Sequence, residues 1–98
     1  MTITLLNEVD IDTIGTPWIS DGASKSLLID AVSFGGGSVT IEVKRYNGQW
    51  VVPSLPDGSP ATFTAGTFQK FDYAGFGIYV RAKLTGSTGA SKVNVLLS

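Results

Sequence analysis

Three carboxylates stand at alternate positions near the N-terminus: Glu8, Asp10 and Asp12. In an extended segment alternate residues project to one side, so their oxygens could converge on a hard cation, and Asp10-x-Asp12-x-x-Gly15 has the spacing that opens a calcium loop. Ile14 breaks that pattern because it offers no side-chain oxygen at the next ligand position, so the segment reads as a solvated acidic loop. Paired carboxylates could also serve a glycosidase, but that chemistry needs one raised pKa in a cleft, and charged residues make up only 15% of this chain. The run Gly35-Gly36-Gly37 opens into an extended segment, whereas a phosphate cradle opens into a helix N-terminus, so these glycines read as a turn. The chain has neither Cys nor His, which removes disulfides, thiol nucleophiles, imidazole bases and ordinary zinc sites. The expectation is a protein that is not an enzyme and carries no cofactor or metal.

Aromatic side chains are the remaining candidates for recognition. Trp18, Tyr46, Trp50, Tyr73, Phe76 and Tyr79 could stack on sugar rings or anchor a protein interface. Trp50, beside Val51 in a short strand, reads as a core residue whose truncation to Ala costs about 3 to 5 kcal/mol. Trp18 is left open between core and interface. Arg81 and Lys83 alternate with apolar residues and can pair with Glu42 across an exposed sheet face, or present that face to a partner. Leu96 lies opposite the core side of its strand and can meet a neighbour. The candidate interface residues are therefore Trp18, Tyr46, Tyr79, Arg81, Lys83 and Leu96.

The elements that position these residues follow from apolar periodicity. At 98 residues the chain is expected to be one domain, residues 1–98, burying roughly 60 to 70% of its unfolded surface. Apolar residues recur at period two, with turn residues every eight to twelve positions and no helical segment. The clearest strands are 38–46, with Val39, Ile41 and Val43 inward, and 76–85, with Ile78, Val80, Ala82 and Leu84 inward. Residues 91–97 bury Val93, Val95 and Leu97 and are expected to form a hairpin with 78–85. Residues 25–33 form a further strand that the triglycine reverses into 38–46. Asn47-Gly48 predicts a type I′ turn into Gln49–Val52. Shorter strands fall at 2–6, 16–20, 61–64 and 67–72. The prediction is all-β: a single antiparallel β-sandwich, immunoglobulin-like or jelly-roll-like, of eight or nine short strands, with residues 1–15 as an N-terminal arm or edge strand able to complete a neighbour's sheet.

Charge is sparse and uneven. Residues 1–40 set five carboxylates against one lysine, a balance of −4, and residues 41–98 set six cations against three carboxylates, a balance of +3. The two halves can neutralise each other as neighbouring strands or meet across subunits. So small a positive excess disfavours nucleic acid as a partner. No window approaches the ~18 apolar residues of a membrane span, and residues 1–10 lack the basic and apolar regions of a signal peptide. A soluble protein made in a host cytoplasm, with no membrane partner, is expected.

Two resemblances rest on these segments. Residues Tyr79-Val80-Arg81-Ala82-Lys83-Leu84-Thr85-Gly86 and Gly89 to Val95 resemble the last two strands of fibronectin-type or immunoglobulin-like sandwiches. Over most of the chain, Ser38 to Val43, Asn47-Gly48-Gln49-Trp50-Val51, Phe63 to Phe68, the Tyr79 strand and Val93-Asn94-Val95-Leu96-Leu97 are similar to small β-domain virion proteins of tailed bacteriophages, of the capsid decoration, cement or head-fibre type. That resemblance implies a virion location, the major capsid protein as partner, and self-association, often as trimers, to stabilise the shell. It carries over no catalytic residue. The chain has no coiled-coil or collagen-like extension, which favours decoration over a free fibre. A tail or baseplate accessory domain, or a carbohydrate-binding adhesin-like module using Trp18, Tyr46 or Tyr73, are the alternatives.

Overall fold

The computed structural model describes residues 2–71 and 75–98, so Tyr73 and its neighbours Asp72 and Ala74 lie outside the described residues. Among these described residues nine strands run in the order β1 (Ile3–Val9), β2 (Thr13–Ile14), β3 (Trp18–Ile19), β4 (Lys25–Asp30), β5 (Ser38–Lys44), β6 (Thr62–Phe63), β7 (Thr67–Phe71), β8 (Tyr79–Thr85) and β9 (Val93–Leu97). They form two antiparallel sheets. One has the order β1-β9-β4-β7, and the other the order β2-β8-β5-β6 with β3 also on β8. The registers Thr13↔Leu84 and Trp18↔Val80 make β2 and β3 two pieces of one strand along β8, interrupted where Pro17 can offer no ladder donor. Counted this way there are eight strands, and the order is that of a jelly roll.

This topology corrects three expectations. β8 and β9 are not a hairpin, because β8 pairs with β5 and β9 pairs with β1 and β4. In an immunoglobulin-like sandwich the last two strands are neighbours in one sheet. Here their apolar faces, Val80-Ala82-Leu84 and Val93-Val95-Leu97, meet across the core, and all six residues are fully buried. The triglycine likewise carries the chain from one sheet to the other and does not reverse it within a hairpin. Gly35 has φ of +61°, and a Cβ there would lie 2.5 Å from the Ala90 nitrogen, so only glycine permits this close approach. Finally, neither Asn47 nor Gly48 takes the positive φ of a type I′ turn. The Gly48 N–H donates to the Arg45 carbonyl at 2.9 Å, and beyond a wide loop the predicted strand 49–52 reduces to a single bridge, Val43↔Val51.

Alternation selects the core. Leu27 and Ile29 of β4, Val39, Ile41 and Val43 of β5, and the inner residues of β8 and β9 fill the space between sheets. β1 departs from strict alternation, since Leu5 and Leu6 are both buried. A bulge between Thr4 and Leu6 explains this, because the extra residue turns two consecutive side chains toward one face. Residues 3–9 are thus an edge strand of the chain's own sheet, and removing them would open the core.

Gly15 locks the edge. Its N–H donates to the Ala82 carbonyl at 2.8 Å, and an added Cβ would overlap the Leu5 carbonyl oxygen while pressing 3.1 Å from Leu6. Neither backbone nor packed core can give easily. Gly15→Ala is therefore expected to destabilise by about 1 to 3 kcal/mol, read as a lower urea midpoint with unchanged slope.

Candidate functional site

The three N-terminal carboxylates separate on folding. Asp12 accepts the Gly86 N–H at 2.9 Å through Oδ2, and the Ser87 N–H at 2.9 Å and the Ser87 hydroxyl through Oδ1. Asp10 accepts the Lys92 N–H at 2.8 Å, and Glu8 is engaged through its backbone N–H, which donates to Asn94 Oδ1. The hydroxyl and amide donors of Ser87, followed by the Gly86 amide, hold the Asp12 carboxyl below its ordinary value. Asp10 and Asp12 clamp the connection from β8 to β9, and among the described residues no three Asp, Glu, His or Cys are grouped to hold a metal ion.

The main cluster of polar and aromatic groups lies on the outer face of the β8-β5 sheet. Alternation turns Tyr79, Arg81 and Lys83 of β8 outward beside Glu42 and Lys44 of β5, because Glu42 pairs with Arg81 and Lys44 with Tyr79. Glu42 Oε1 accepts from Arg81 Nε at 2.8 Å, and Oε2 lies 3.2 Å from Lys83 Nζ. The carboxylate is buried although it points away from the core, since the two cations cover it. The Arg81 guanidinium also lies 4.0 Å from the Trp50 ring centroid, and Lys44 Nζ sits 5.2 Å from Trp50 and 5.6 Å from Tyr79.

Trp50 is therefore half-buried under cations on an outer face, not a core residue as its apolar neighbours suggested. The Val43↔Val51 bridge explains the difference: Val51 takes the side of inward-facing Val43, which turns Trp50 to the opposite side. The same reasoning places two residues that sequence analysis missed. Ile14 opposes Lys83 and Ile19 opposes Tyr79, so both stand on the outer face, 61% and 56% exposed. Ile19 is out of phase with Trp18, but Ile14 is in phase with it and reaches the outer face only because the register along β8 slips by one residue between β2 and β3, which no sequence signal shows.

The six predicted interface residues do not form one patch. Tyr79, Arg81 and Lys83 share the outer face just described. Trp18 opposes Val80 and packs half-buried against the core, with Lys25 Nζ 5.7 Å from its ring. Tyr46 is exposed in the wide loop after β5. Leu96 is on the other sheet's outer face, in a cross-strand row with Thr4, Leu28 and exposed Phe68.

No protein-family model and no curated protein sequence matches the chain. Among solved structures, the crystal structure of the SPBc2 prophage-derived protein YomS superposes with a TM-score of 0.73. The match covers 99% of this chain and 90% of that one at 14% identity. What the two share is the fold. Among the described residues no helix is long and apolar enough to cross a membrane.

Two predictions follow from the outer face. Burial by itself would raise the Glu42 carboxyl, but hydrogen bonds from Arg81 and Lys83 and their charges outweigh it, leaving the group below its ordinary value of 4.5. A carboxyl lowered on folding contributes stability above its unfolded value and loses it as pH falls through the folded one. Glu42→Gln is expected to cost about 1.5 to 3 kcal/mol at neutral pH. The gap from the unmutated chain should close as pH drops below about 4, as urea melts across a pH series would show. Trp50→Ala should cost about 1 to 2 kcal/mol in the same melts, less than a core truncation.

Proposed function

We propose that this chain is a non-catalytic structural protein of a tailed-bacteriophage particle, acting as a capsid decoration or cement protein. The observation that carries the reading is the end-to-end fold likeness to a prophage-derived protein. The jelly-roll order adds support by analogy, since viral capsid domains use it repeatedly. A decoration protein needs a rigid body and an exposed adhesive surface, with no cleft for chemistry. The outer face of the β8-β5 sheet supplies that surface: Ile14 and Ile19 flank three cations set against one carboxylate, a composition suited to an acidic, partly apolar shell. Stacking on glycans has less support, because Trp18 packs toward the core and Arg81 covers one face of Trp50.

Quantitative mass spectrometry of gradient-purified particles from the source lysate tests this role. The chain is expected in a simple ratio to the major capsid protein. A few copies per particle would move it to the tail or baseplate, and absence would overturn the particle role. Ile19→Lys, at an exposed position, should reduce the copy number per particle while leaving the melting temperature unchanged.

A further inference from the structure

The wide loop after β5 creates a cleft of about 320 Å³ at one end of the sandwich. Val43, Val51 and Ile78 give it apolar walls, and Lys44 and Arg45 stand at its rim with Gly48 against Arg45. Its volume is at the low end of ligand pockets, ~300 to 1,000 Å³, and fits an aliphatic side chain with its flanking backbone. Neither rim cation has a carboxylate partner among the described residues, where the ion pairs involve Asp21 with Lys25, and Glu42 with Arg81 and Lys83. The site therefore favours an apolar group bracketed by negative charges.

The chain carries such a group at its other end. Asp10-Ile11-Asp12 presents Ile11 73% exposed between two carboxylates. Those carboxylates bond to backbone N–H groups and the Ser87 hydroxyl, which fixes the loop while leaving both negative charges without a cationic side-chain partner among the described residues. The acidic knob sits where β8 ends, at Gly86 and Ser87, and the cleft sits where β8 begins, beside Ile78. Seven residues of strand, about 20 Å, lie between them, along a body whose longest dimension is 35 Å.

We propose that copies of this chain associate head to tail, with Ile11 of one copy seated in the Val43–Val51–Ile78 cleft of the next and Asp10 and Asp12 against Lys44 and Arg45. A foreign acidic peptide would satisfy the cleft alone, whereas self-association also accounts for an isoleucine held in water between two clamped acids. Because knob and cleft are different surfaces, the contact is heterologous and propagates into rings or filaments. This inference goes beyond the particle role and is tested on the purified chain alone.

Sedimentation velocity of the full chain over a concentration series is the test. The unmutated chain should show concentration-dependent association that weakens as salt rises from roughly 0.05 to 0.5 M. Ile11→Asp and Arg45→Glu, both at exposed positions, should each weaken it about tenfold or more with unchanged circular dichroism. Ile11→Asp keeps a working cleft and Arg45→Glu keeps a working knob, so mixing the two should restore one contact and give a dimer that grows no further. A chain monomeric to about 1 mM, the upper end of weak but measurable affinity, overturns the proposal. So does association undiminished in both variants, or a mixture that stays monomeric. A monomeric chain still found on particles would sink this contact and leave the particle role standing.

Discussion

Each strand of this chain has one face it can bury, and the fold depends on those faces meeting across two sheets. Val80, Ala82 and Leu84 of β8 and Val39, Ile41 and Val43 of β5 face Val93, Val95 and Leu97 of β9 and Leu27 and Ile29 of β4. β8 and β9 are consecutive in sequence but lie on opposite sides of this core, so the connection between them must cross from sheet to sheet. A crossing exposes backbone donors that a hairpin would have paired, and such donors need other acceptors. Asp10 and Asp12 supply them, which makes the acidic segment a structural consequence of the topology.

The same architecture leaves the charged cluster of Glu42, Arg81 and Lys83 on the outer face of one sheet. Aliphatic residues and Phe71 fill the space between the sheets, and the charged groups of β5 and β8 point outward, where Arg81 serves both Glu42 and Trp50. One guanidinium satisfies a buried carboxylate and covers an indole, so that face is stiff as well as charged. The crystal structure of a prophage-derived protein shares this fold over 99% of the chain.

The residues that hold the fold and the exposed isoleucines are different. Glu42, Gly15 and Asp12 hold the fold together, whereas Ile11, Ile14 and Ile19 are exposed and contribute little to the core. Exposed Ile11 and Ile14 have charged residues beside them, Asp10 and Asp12 around Ile11 and Lys83 opposite Ile14, which limits any continuous apolar patch. Surfaces of this kind can change their partner without disturbing the body that carries them.

Much of this was legible in the sequence. Period-two alternation located β5, β8 and β9 with their inner faces and β4 as a strand, and the Glu42, Arg81 and Lys83 pairing followed from alternation on neighbouring strands. The absence of Cys and His removed whole classes of chemistry at the level of atoms. Alternation states which side of a strand is apolar but not which strand lies beside it, so adjacent segments 79–85 and 93–97 read equally well as a hairpin or as facing layers. Only the tertiary structure separated those cases. It also decided that Leu5 and Leu6 both turn inward through a bulge, that Trp50 lies under Arg81, and that the wide turn after Lys44 leaves a cleft. Each of these depends on register between segments distant in sequence, and register is set by how whole faces pack, which no local pattern encodes.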